Sequence, residues 1–109
     1  MPALRILLDE CIDRRLAKQI TGHDDSTAPD LGWAGLKNGE LVGRAEAQFD
    51  VFLTVDRNLA FQQNLPKFDI AVLVLHGRTN RLQDLSPLVP AILEALHNPQ
   101  AGRAVMISS

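Results

Sequence analysis

Leu4-Arg5-Ile6-Leu7-Leu8-Asp9-Glu10 is the stretch whose reading decides the fold. A mostly apolar run of strand length followed by two acids reads as a buried strand with its carboxylates where the strand runs out. The arrangement recurs at Asp50-Val51-Phe52-Leu53-Thr54-Val55-Asp56. Chemistry in open parallel sheets sits at the carboxyl ends of strands. If these two strands run parallel and lie near each other, Asp9 and Asp56 emerge at one rim.

The chain around these strands alternates between strand and helix patterns. Ile12, Leu16 and Ile20 recur at intervals of four among Arg14, Arg15, Lys18 and Gln19, which predicts an amphipathic helix closed at Gly22. Cys11 is expected to pack as a small apolar residue at the start of that helix. The polar segment from His23 to Ala28 makes at best a weak strand and belongs at a sheet edge. Pro29 to Gly35 is a loop centred on Trp33, expected to cover the core. Asn38 is a plausible cap for a helix with Leu41, Val42, Ala45 and Phe49 on one face, and Glu40 falls in its first turn, where the helix dipole favours an acid. Ile70 to Leu75 is a third buried strand, ending at His76 and Gly77. A last helix starts near Pro87, and Pro90 shifts its true start a residue or two later. Ala104 to Ile107 is a final strand. The expected fold is α/β: a three-layer, mainly parallel sheet of about five strands with helices on both faces. Strand order 2-1-3-4-5 would put the topological switch point beside both aspartates.

Composition narrows the function. A chain of 109 residues forms one domain. A net charge of -2 argues against a general polyanion binder, although a local basic patch remains open. No apolar run approaches the ~18 residues needed to span a bilayer, and a single cysteine suits a reducing compartment, so the expected location is cytoplasmic and away from membranes.

Asp9, Glu40 and Asp56, with Glu10 or Asn58 as a fourth ligand, would supply hard oxygen donors. That set selects Mg2+ or Mn2+ over zinc. A cation so held could bind a phosphate, activate a water and steady a leaving oxygen, which together hydrolyse a phosphodiester. Arg57, Arg78 and Arg81 each follow a strand expected to end at the acidic rim, and arginine binds phosphate in a fork. Their bland reading is solvated loop charge. His76 is read as a packing or hydrogen-bonding residue, and Arg14, Arg15 and Lys18 as the wet face of the first helix.

Leu7-Leu8-Asp9-Glu10, Gly22-His23-Asp24, Asp30-Leu31-Gly32-Trp33 with Gly35-Leu36, Glu40-Leu41 and Leu53-Thr54-Val55-Asp56-Arg57-Asn58, in this order, resemble the short PIN-like domains described as nucleases of toxin-antitoxin systems. The resemblance implies a Rossmann-like PIN fold, magnesium- or manganese-dependent cleavage of RNA, and often a cognate antitoxin that blocks the site. It also implies catalytic roles for Asp9, Glu40 and Asp56. Asn58 stands where such domains more often carry a second acid. Two other classes compete: a non-catalytic protein-binding module whose carboxylates receive a basic segment, and a phosphoacceptor domain of the receiver type. The receiver pattern expects a lysine after the fifth strand and a hydroxyl residue ending the fourth, and the sequence offers neither. Oligomeric state is left open, with room for a homodimer.

Overall fold

The computed structural model describes residues 3–56 and 65–108, leaving out the side chains of residues 38 and 65. Five strands form one sheet: β1 (Arg5–Leu8), β2 (Asp24–Thr27), β3 (Val51–Thr54), β4 (Ala71–His76) and β5 (Ala104–Ser108), in the order β2-β1-β3-β4-β5. Every neighbouring pair is parallel. All five carboxyl ends therefore lie on one edge, and the order reverses direction between β1 and β3. That crevice is where sheets of this kind hold ligands. The radius of gyration, 12.4 Å, matches the ~13 Å of a single folded unit of about this length.

The register explains why the central strands are apolar throughout. Ile6 pairs with Val51 and Val51 with Ala71; Leu8 pairs with Leu53 and Leu53 with Leu73. These rows join an apolar cluster that also holds Ile12, Leu16, Ile20, Leu85, Leu88, Ile92 and Leu96. The alternate row, Leu7, Phe52 and Val72, enters a second cluster with Leu41, Val42, Ala45 and Phe49. Because successive side chains point to opposite faces, each set of strand residues meets its own helical partners. Trp33 packs against the second cluster, edge-on to Phe49 with ring centroids 6.3 Å apart.

Two helix readings are corrected, and in the third the helix starts at Val89, two residues after Pro87 as expected, behind a further short helix and turn. The segment after β1 is a six-residue 3₁₀ helix, Arg14–Gln19, capped by the Asp13 side chain, which accepts from the Arg15 N–H. Its apolar residues face inward as expected, since packing on the sheet dictates which side chains are buried but not which carbonyl each amide finds. Helix α1 (Asn38–Ala45) is preceded by Lys37 in extended conformation with no side-chain cap, so Asn38 opens the helix rather than capping it. The final helical region is broken into α2 (Leu82–Leu85), a 3₁₀ turn (Ser86–Leu88) and α3 (Val89–Ala95). Pro87 and Pro90 each stand in the first two positions of their segment, where a missing N–H costs no helical bond.

Two polar residues pin the edge opposite the carboxyl ends. Asp50 accepts from the Arg5 N–H at 2.9 Å while its own N–H donates to the Arg5 carbonyl at 2.8 Å, tying the starts of β1 and β3 together. His23 Nδ1 accepts from the Leu4 N–H at 3.0 Å. Its part in the Gly22-His23-Asp24 motif is therefore to hold β2 against β1, away from the acidic rim.

Candidate functional site at the strand ends

Asp9 follows β1 directly, and its N–H donates to the Leu53 carbonyl, extending the β1–β3 ladder by one residue. Its side chain is only 7% exposed. One carboxylate oxygen accepts from the Thr54 hydroxyl at 2.7 Å and the other from the Glu10 N–H at 2.8 Å. The hydroxyl of Thr54, itself fully buried, accepts in turn from the Asp56 N–H at 3.1 Å. Asp9 and the backbone of Asp56 are thus joined through one hydroxyl across the switch point. A carboxylate has about four lone-pair sites, so these two bonds, with that from the Cys11 thiol, orient Asp9 and still leave acceptor capacity.

The other acids are distributed around this pair. Glu10 is exposed and its Oε1 accepts from the Gly35 N–H at 3.2 Å, fastening the loop after β2 to the end of β1. Glu40 lies in the first turn of α1, as read from the sequence, and is paired at 3.0 Å with Arg44 one turn on. Among the described residues no three histidine, cysteine, aspartate or glutamate side chains form a group able to hold a metal. Asn58 and Arg57 lie outside the described residues. Asp9 and Asp56 are carboxylates, the donor type that binds magnesium- or manganese-sized ions, and the bonds described join Asp9 to the Asp56 backbone. Arg78 and Arg81 are exposed in the loop after β4, at the same sheet edge, and the Arg81 N–H donates to the Thr79 hydroxyl. His76, the last residue of β4, is exposed there as well.

The Cys11 thiol bonds to Asp9, and desolvation first and the Asp9 charge second push its pKa up. The cysteine retains solvent exposure, which corrects the expectation of a packed apolar role. A thiol so placed stays protonated near neutrality and is a poor nucleophile. Asp25 on β2 is a carboxyl shifted upward: burial, and then the neighbouring Asp24, raise it to about 6. Its Oδ1 is buried with no hydrogen-bond partner among the described residues.

Thr54 and Cys11 were not read as site residues from the sequence. A lone hydroxyl inside an otherwise apolar central strand was the available signal for Thr54, because a buried hydroxyl requires a partner. No protein-family model, curated protein or solved structure matches the chain.

Proposed function

We propose that this chain is a PIN-like, Mg2+- or Mn2+-dependent ribonuclease that hydrolyses RNA phosphodiester bonds, a toxin component restrained by a cognate antitoxin in the cytoplasm. The observation that carries the reading is the Asp9–Thr54–Asp56 chain across the β1/β3 switch point of a parallel sheet. Asp9 and Asp56 would hold the cation, with Glu10 the next carboxylate along the chain. When bound, the ion supplies phosphate binding, activation of water and charge neutralisation at the leaving oxygen. The protein's own contribution is orientation. Thr54 aims one Asp9 oxygen, and the Glu10 amide holds the other. Arg78 and Arg81 offer guanidinium forks to the substrate backbone from the loop after β4.

A second reading, a PIN-like module that binds protein without cutting, is favoured by the two occupied Asp9 oxygens and by the pairing of Glu40 with Arg44. Labelled RNA incubated with the purified chain and Mg2+ or Mn2+ separates the two. Cleavage that needs the metal, stops with chelator and disappears in Asp9→Asn and Asp56→Asn supports the nuclease. Equal residual cleavage by wild type and both variants would mean contamination and would remove the enzymatic reading.

A further inference from the structure

The two edges of the sheet are built differently. β2 stands at one edge and β5 at the other, and among the described residues neither has a further strand beside it. An open edge presents unpaired N–H and C=O groups to any extended segment, and charge on the strand is a usual defence. β2 has that defence in Asp24 and Asp25. β5, Ala104-Val105-Met106-Ile107-Ser108, has no charge, proline or glycine. Among the described residues it also carries the exposed large apolar side chains, Val105 at 37% and Met106 at 49%.

The ladder with β4 decides which backbone groups of β5 are left over. Val72 faces Ala104, and its N–H donates to the Arg103 carbonyl at 3.0 Å. In a parallel pair the N–H and C=O of one residue reach the two neighbours of its Cα partner, so β4 takes up the groups of Arg103, Val105 and Ile107. The N–H and C=O of Ala104, Met106 and Ser108 are therefore aimed outward. A second β5, run antiparallel about a twofold axis through Met106, answers that row. Ala104 then opposes Ser108 and Met106 opposes its own counterpart, each pair exchanging two N–H···O bonds.

The side chains suit the same register. Val105 of one copy lies beside Ile107 of the other on one face of the sheet, and the two Met106 side chains meet on the opposite face, so both exposed apolar groups are covered together. Charge is compatible as well. The two copies of Arg103 fall at opposite ends of the paired strands, roughly 20 Å apart and beyond the ~8 Å reach of unscreened charge. The same pairing at β2 would gather the Asp24 and Asp25 carboxylates of both copies.

We propose that β5 is the surface through which two copies of this chain join, forming one continuous sheet across a twofold axis at Met106. Such a contact is isologous and closes at the dimer. A strip of five residues covers less than the ~1,200 Å² of a standard interface, which places the dimer in the weak, concentration-dependent class. Because the paired strands run oppositely, the two acid-bearing rims face opposite ways and each copy keeps its own site. The interface stands or falls independently of the nuclease reading.

Sedimentation velocity of the full chain from micromolar to millimolar concentration should show monomer passing to dimer and no larger species. Met106→Lys sets like charges directly opposite each other and should raise the midpoint concentration about tenfold, with an unchanged circular dichroism spectrum at low concentration. Register is read by oxidation in a Cys11→Ser background. Met106→Cys should form an interchain disulfide, since a hydrogen-bonded antiparallel pair holds its Cα atoms about 5.5 Å apart, within disulfide reach. Ala104→Cys, whose counterpart lies four residues along the partner strand, should stay reduced. Should the lysine variant fail to fold, the cysteine pair alone decides. Monomer at every concentration, growth beyond the dimer through β5 joining β2, a dimer that Met106→Lys leaves intact, or equal cross-linking from positions 104 and 106 would each overturn the proposal.

Discussion

Thr54 shows how much one hydroxyl can organise. It is buried, donates to Asp9 and accepts from the Asp56 N–H, so Thr54→Val keeps the shape and deletes both bonds. The expected cost is about 2 kcal/mol, read from chemical denaturation, because the buried Asp9 carboxylate loses a donor and the part-buried Asp56 N–H loses this acceptor. Asp25 makes the opposite case, a polar group that opposes folding. Its carboxyl titrates near 6 in the native protein against 3.8 unperturbed. Between those values the native state binds more protons than the unfolded chain, so stability falls as pH rises through the window and the loss is complete above about 6. Asp25→Asn should therefore raise the melting temperature at pH 7.5 by about 4 °C, roughly 1 kcal/mol once solvent screening is allowed for, and change it little at pH 3.5. Thermal melts of both proteins at both pH values check the sign. At this scale the sequence was informative where charge stood out against an apolar run, as at Asp9 and Asp56. It was silent on Asp25 and Thr54, whose behaviour depends on what packs against them.

Among the elements, the link from β4 to α2 is the tightest. A Cβ on Gly77 would stand 2.7 Å from the Asp84 carbonyl oxygen and 3.1 Å from that of Thr79. Both obstacles are backbone, which cannot rotate away. Gly77→Ala should cost about 2 kcal/mol in denaturant unfolding, and the displaced turn would carry Arg78 and Arg81 with it. If the two arginines serve an RNA backbone, the variant should also weaken RNA binding measured without metal. The elements were legible where hydrophobic periodicity was strong: β1, β3 and β4 stand within a residue or two of their expected bounds, whereas α1 ends at Ala45, short of the expected reach to Phe49. The 3₁₀ form of Arg14–Gln19 and the broken final helix were not, because inward spacing near four residues is met equally by either bond pattern over so short a run.

For the molecule as a whole, the stabilising weight sits in two apolar clusters divided by the sheet. Phe52 is fully buried on the central strand β3. Phe52→Ala should destabilise by about 4 kcal/mol through lost burial and the cavity left behind, with an unchanged denaturant slope if the chain unfolds as one cooperative unit. A biphasic transition would show instead that the two clusters melt separately. Among the described residues no helix is long and apolar enough to cross a membrane.

From the amino acids alone came the α/β class, the parallel alternation, the edge position of the strand after Gly22 and the acids at the ends of β1 and β3. These follow from local periodicity and from the rule that carboxylates are not left inside an apolar strand. The tertiary structure alone decided that β1 and β3 are neighbours, that Thr54 joins Asp9 to the Asp56 backbone, that Glu40 turns to Arg44, and that Arg14 meets Asp30 across a groove. Hydrogen bonds and ion pairs between residues 16 or 45 positions apart depend on strand order and register. Those are settled by which apolar faces pack together, and no local pattern encodes them.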